Sequence, residues 1–249
     1  MDRSRAISAE LFPRPRPMGK SSKESLWVIN AGILGYEDTW YLQNGLKKAR
    51  LEERVGDTLI LVQHPPTITL GRRGKEDNLL VERDVLKGEG IELFVTDRGG
   101  DITFHGPGQL VGYPIISLKK QEISVGHYMM RLEDVIMRTL KDVGIIAKKL
   151  PHTIGVWVGE KKVASLGVRV SRGVTTHGFA LNINNDLRPF HFINPCGMKG
   201  LQVTSVREVL GEDVNYAYVE NILVTHFSQV FQIGIGERIN FCSPYCFYE

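Results

Sequence analysis

The sequence predicts an α+β domain with a mixed, mostly antiparallel sheet and packed helices, and three observations carry that prediction. Short runs of β-branched and aliphatic residues recur without strict alternation with helical segments, which disfavours a regular doubly wound sheet. Two of these runs, IGVWV and VASLGVRV, flank Gly159-Glu160-Lys161-Lys162 as the arms of a tight hairpin. Apolar residues three and four apart mark amphipathic helices between the strands.

Order begins at Leu26, where LWVIN reads as a strand. Gly32 and Gly35 lead into a helix whose Leu42, Leu46 and Ala49 share one face, ended by Gly56 and Asp57. Thr58 to His64 is a buried strand stopped by Pro65 and Pro66. From Pro65 to about Asn78 the chain reads as a surface loop holding Gly71, Arg72, Arg73, Gly74 and Lys75. LFVTD is the next strand, Arg98 to Gly108 a second loop, and QLVGYPIISL a further strand. The clearest helix follows: Val125, Met129, Leu132, Ile136, Leu140 and Val143 line one side and Gly144 ends it, a face that reads as core rather than as a site. THGFALNIN is another strand, Ser205 with Glu208 fits a capping box, and Val219, Leu223, Phe227 and Val230 mark a last helix.

At 249 residues, 42% hydrophobic and 24% charged, the chain can close a substantial core in one domain, expected over 26–236. Residues 1–25 are expected to form a flexible arm and 237–249 a tail. No run approaches the ~20 apolar residues of a membrane-spanning helix, so no membrane association is expected. A net charge of +3 with scattered basic residues gives no stripe for nucleic acid. Three cysteines, Cys196, Cys242 and Cys246, make no disulfide framework and fit a reducing, cytoplasmic setting. The arm is rich in Arg, Ser and Pro and lacks the apolar core of a secretory signal. An organelle transit peptide is the rival reading, weakened by Asp2 and Glu10.

The segment from Arg98 to Gln109 packs four glycines and Pro107 between strands, which suits close approach of backbone to a ligand and equally suits a plain turn. His105 within it can donate to a carbonyl or satisfy a buried neighbour. No P-loop pattern occurs, and His64, His105, His152, His177 and His191 show no metal-ligand spacing, so neither nucleotide nor metal is expected. Asn194-Pro195-Cys196-Gly197-Met198 places a thiol in a loop. A free thiol is mostly protonated at neutral pH, so a nucleophilic role needs a nearby cation or base. Lys162 runs straight into the apolar strand VASLGV, where partial desolvation suits an amine to proton transfer; taken alone it is simply a turn lysine.

Together RGGDITFHGPGQLVGYP, GEKKVASLGVRV, THGFALNINNDL and INPCGM, with HPPTITLGR at His64 to Arg72, resemble the lipoyl(octanoyl) transferase family, also called lipoate-protein ligase B. The likeness runs from Leu26 to the last helix. It implies a fold like the catalytic domain of biotin and lipoate protein ligases. It implies transfer of octanoyl from octanoyl-acyl carrier protein to a lysine of lipoyl domains, those of 2-oxoacid dehydrogenase E2 subunits and of the glycine cleavage H protein, without a cofactor. By motif, Cys196 matches the nucleophile that carries the acyl group as a thioester, and Lys162 its proton-handling partner. Arg98, Gly99, Gly100, Asp101, Ile102, Thr103, Phe104 and His105 match substrate-binding segments, as do Ser165, Leu166 and Gly167, and His177, Gly178 and Phe179.

On that likeness Val163, Leu166, Phe179 and Phe104 are the expected walls of an apolar slot. Backbone N–H groups of the glycine loop or near Gly197 are the expected oxyanion donors. Arg72, Arg73, Lys75 and Arg172 could meet acidic protein partners, solvated surface charge being the simpler reading. Two alternatives stay open: an ATP-dependent lipoate or biotin ligase of the same fold, against which Cys196 speaks, and a non-catalytic lipoyl-domain-binding module, against which the pair Cys196 and Lys162 speaks.

Overall fold

A computed structural model describes residues 25–241. The expected arm up to residue 24, and the tail from 242 with Cys242 and Cys246, lie outside the described residues. Strand β1 (Leu26–Ile33) leads through helix α1 (Tyr36–Leu51) to β2 (Thr58–Gln63). These two strands lie parallel. The rest of the main sheet is β6 (Gln109–Ile115), β7 (Val156–Val158), β8 (Lys161–Ser171), β9 (Val174–Asn182) and β10 (Ile235–Asn240). Its order is β10-β1-β2-β6-β9-β8-β7, with β1 parallel to both neighbours and every other pair antiparallel, the mixed and mostly antiparallel arrangement expected. β10 crosses the expected domain end at 236 and adds a parallel edge to β1.

A second sheet has the order β4-β3-β5, built from β3 (Thr67–Leu70), β4 (Glu92–Val95) and β5 (Ile102–His105). Its existence corrects two expectations, because β3 lies inside the presumed surface loop 65–78 and β5 inside the presumed loop 98–108. Both strands are four residues long and fully buried, too short between prolines and glycines for any alternation to register.

Burial on both faces explains the aliphatic run of β2: Leu59 and Leu61 face one core, Ile60 and Val62 the other. The first core is closed by α3 (Val125–Asp142) and α5 (Tyr216–Phe231), through Leu132, Ile136 and Leu140 against Leu223, Phe227 and Phe231. α3 begins at Ser124, whose hydroxyl accepts from the His127 N–H, and stops before Gly144 at φ 82°. α1 covers the opposite face with Leu42 and Leu46. It ends at Leu51, earlier than Gly56 and Asp57 suggested; Asp57 instead holds Arg50 in a buried ion pair of 2.8 Å and accepts from the Ser117 N–H. Leu86, from the short helix α2 (Arg83–Gly88), packs with Ile68, Ile102 and Phe190 over the small sheet. Ser205 accepts from the Glu208 N–H to start α4 (Val206–Leu210), while the Glu208 carboxylate turns to the Thr204 hydroxyl.

The two sheets meet where side chains are absent. The Gly99 N–H donates to Val168 O at 2.9 Å, and a β-carbon on Gly167 would lie 2.7 Å from Gly99 O. Glycine at both positions lets the loop before β5 lie flat on β8.

Candidate active site

Cys196 sits in a 3-10 turn, Pro195–Gly197, with a left-handed backbone of φ 59°, a conformation that a residue with a β-carbon keeps only when its surroundings hold it. They do so here. Asn194 N–H donates to Asn78 O at 2.8 Å and Gly197 N–H to Asn194 O at 2.9 Å. A β-carbon on Gly197 would lie 2.6 Å from Asp101 Oδ2, an oxygen that itself accepts from Asn78 Nδ2 at 3.0 Å. The cysteine loop is thus seated on the glycine-rich loop with no room for a methyl group. Of the backbone N–H groups expected as oxyanion donors, that of Gly197 is engaged with Asn194 O.

Lys162 is not a turn residue but the second residue of β8, only 4% exposed. Val156 opposes Ala164 while Trp157 opposes Lys162, so Val163 is an inserted bulge residue beside it. The chain leaving the cysteine loop then clamps this position: Lys162 N–H donates to Gln202 O, and Thr204 N–H to Lys162 O, both at 2.9 Å. That clamp unites two residues 34 positions apart, and Lys162 Nζ donates to Cys196 Sγ at 3.2 Å. Ser165 Oγ lies 4.0 Å from the same sulfur. A buried amino group needs compensating partners, and here they are the sulfur and the Trp157 ring, 5.5 Å from Nζ.

Beside this pair opens a cavity of about 720 Å³. Leu166, Phe179, Val111, Ala180, Met129 and Ile154 give it apolar wall, while Arg98, His105 and His177 give it polar wall. An uncharged aliphatic chain fits such a lining, and a few fixed polar groups orient what carries it.

Comparison with known proteins decides the kinship. The lipoyl protein ligase A/B catalytic domain matches residues 35–228. An octanoyltransferase of Alkaliphilus metalliredigens is 43% identical over 85% of this chain and 98% of its own length. The chain belongs to this family. In fold it is similar to a lipoate-protein ligase A bound with ATP (TM-score 0.68, 18% identity, 88% of this chain and 90% of the other). It is also similar to a biotin protein ligase from Aquifex aeolicus in complex with biotin and ATP (TM-score 0.52, 16% identity, 84% and 71%). At those identities the likeness is one of fold alone.

Of the substrate-binding residues expected from the sequence, Arg98 to Thr103, His105, Ser165 to Gly167 and His177 to Phe179 line the cavity. Phe104 does not: alternation along β5 turns it to the opposite side, where it packs edge-on against Phe190 in the small-sheet core. Val163, the other expected wall, is buried in the main core. Asp101 borders the cavity while its carboxylate serves the protein, accepting from Asn78 and from the Ile102 N–H. Arg98 is buried among acceptors, donating to Thr69 O at 2.7 Å and to Gly99 O at 3.0 Å, so it ties β3 to the glycine loop. Burial draws its pKa down. Met129 and Val125 line the cavity although the α3 face reads as pure core, because the N-terminal turns of that helix overhang the site.

Three buried histidines that sequence spacing left apart gather here, His105 and His177 in the cavity wall and His64 behind it, its ring 5.7 Å from that of His105. His64 Nδ1–H donates to Leu34 O at 2.7 Å, so its Nε2 accepts from the Tyr113 hydroxyl at 2.8 Å. His105 Nδ1–H donates to Gln109 Oε1, and His177 Nε2–H to Asp97 Oδ1. Burial pushes their pKa values down to about 4 for His64 and about 3 for His105 and His177, so all three rings are neutral at pH 7. Among the described residues no group of three His, Cys, Asp or Glu side chains is placed to hold a metal ion.

Proposed function

We propose that this octanoyltransferase-family chain carries octanoyl as a thioester on Cys196, with Lys162 moving the protons, from octanoyl-acyl carrier protein to a lysine of a lipoyl domain. The 3.2 Å contact between Lys162 Nζ and Cys196 Sγ at the edge of an apolar cavity is the observation that carries this reading. An amine within hydrogen-bond reach of the thiol is placed to take its proton and leave the thiolate, the form that attacks.

In the first half-reaction the Cys196 sulfur bonds to the thioester carbonyl carbon. The carbon–sulfur bond to the carrier then breaks, and the departing carrier thiolate takes the proton that Lys162 received from Cys196. One thioester replaces another. In the second half-reaction the target lysine's neutral amine attacks the enzyme thioester, the bond to Cys196 breaks, and the excess proton of the new amide nitrogen returns through Lys162 to the pair. Thioester to amide is downhill, so no step needs ATP. Lipoyl domains of 2-oxoacid dehydrogenase E2 subunits and of the glycine cleavage H protein are the acceptors that this family reading supplies, in the cytoplasm.

The test mixes the protein with octanoyl-acyl carrier protein and an apo lipoyl domain in the absence of ATP. Octanoylation of the domain lysine is the expected result. No transfer there, with transfer once ATP and free octanoic acid are supplied, would assign the chain to the adenylate-forming ligases instead.

A further inference from the structure

Two residues with no role assigned above, Gly155 and Trp157, meet around the end of Lys162, and a third, Glu133, holds Gly155. Gly155 has φ 136°, a backbone region open essentially to glycine. A β-carbon there would lie 2.3 Å from Lys162 Cε, 2.9 Å from its Nζ and 2.8 Å from Ala164 O. Gln202 and Thr204 fix the lysine's backbone and the Trp157 ring lies 5.5 Å from Nζ, so relief of that overlap falls on the end of the side chain. Trp157 is itself 3% exposed and locked by two backbone hydrogen bonds with Lys148, at 2.8 and 2.9 Å. Any side chain at position 155 therefore displaces the amine from Cys196.

What holds Gly155 in place comes from the core helix. Its N–H donates to Glu133 Oε1 at 3.0 Å. Glu133 is 7% exposed, an unusual setting for a carboxylate, and Lys149 Nζ lies 3.6 Å from its other oxygen. Backbone N–H and carboxylate form a charge-assisted hydrogen bond that fixes the strand entry facing the site. An unrestrained lysine spreads over many rotamers, so fixing one of them is a function in itself.

We propose that Glu133, Gly155 and Trp157 are positioning residues that cage the Lys162 amine against Cys196. The inference rests on the reading of that pair as the transfer machinery. Its test, however, uses no acyl donor: the rate at which iodoacetamide alkylates Cys196, read by peptide mass spectrometry on the full chain at pH 7. Gly155→Ala is expected to slow alkylation about tenfold, by moving the amine away from the thiol whose proton it is placed to take, and to slow it no further in a Lys162→Ala background. Glu133→Leu is expected to slow it likewise, while Glu133→Gln, which keeps the acceptor for the Gly155 N–H, retains roughly half the rate or more. An unchanged rate in Gly155→Ala, an equal slowing without Lys162, or a Glu133→Gln as slow as Glu133→Leu would overturn the cage. Should Gly155→Ala fail to fold, the two Glu133 variants decide. Failure of octanoyl transfer in the wild type would count against the proposed function and leave this readout standing.

Discussion

A cysteine at φ 59° holds a conformation that costs an L-residue about 1–2 kcal/mol, and glycine would adopt it freely. Cys196→Gly is therefore expected to raise stability by about 1 kcal/mol in denaturant titration while abolishing acyl transfer. Equal or lower stability would show that the left-handed turn is not held against its preference. For Lys162→Ala, steady-state assays should find octanoyl transfer at least ~10²-fold slower with circular dichroism unchanged, since a positioned proton carrier contributes on that order; an unaltered rate removes the amine from the chemistry. Cys196 and Lys162 are legible in the sequence as a candidate pair because motif and residue type single them out, and the fold brings them within 3.2 Å. Glu133, Gly155 and Trp157 are not, because a buried carboxylate on an amphipathic helix carries no local mark of the Gly155 N–H it accepts from, and a glycine and a tryptophan near a hairpin carry none of the lysine end they face.

At the scale of elements, close packing of strands replaces side chains at chosen points. A β-carbon on Gly178 in β9 would lie 2.1 Å from Gly112 O in β6, a backbone atom that cannot swing aside. Gly178→Ala should therefore cost about 3 kcal/mol or more, measured as a fall in thermal midpoint, and a shift within error would mean that the two strands part easily. This glycine lines the cavity, yet its first duty is to let the strands meet. Helices α3 and α5 are legible because their apolar periods run long enough to count, and strand β2 because its unbroken aliphatic run is stopped by two prolines. β3 and β5 are not: four buried residues apiece show no alternation, and their threonines and histidine look like loop chemistry until Thr69 is seen accepting from Arg98 and His105 donating to Gln109. The bulge that inserts Val163 beside Lys162 is equally invisible, and it is why Val163 enters the core instead of the cavity.

Across the whole molecule, the buried histidines join the sheets: His105 ends β5, His177 lies in β9, and His64 follows β2. Their folded pKa values of about 3 to 4 lie below the ordinary 6.5, so the unfolded chain binds more protons between those limits. Stability is then full above about pH 6.5 and is lost as pH falls, by about 2 kcal/mol per ring at pH 5. Thermal midpoints at pH 7.5 and pH 5.0 check this, and an equal midpoint at both would contradict neutral burial. The same sheet junction seats the glycine loop, the cysteine loop and β8 against one another, which is how segments far apart in the chain form one cavity.

The central claim is covalent, and mass is its most direct witness. Intact-protein mass spectrometry after brief exposure to octanoyl-acyl carrier protein should show one octanoyl group per chain, located at Cys196, absent in Cys196→Ser and discharged on addition of an apo lipoyl domain. A chain that transfers octanoyl yet never carries it, or carries it undiminished in Cys196→Ser, would contradict the account.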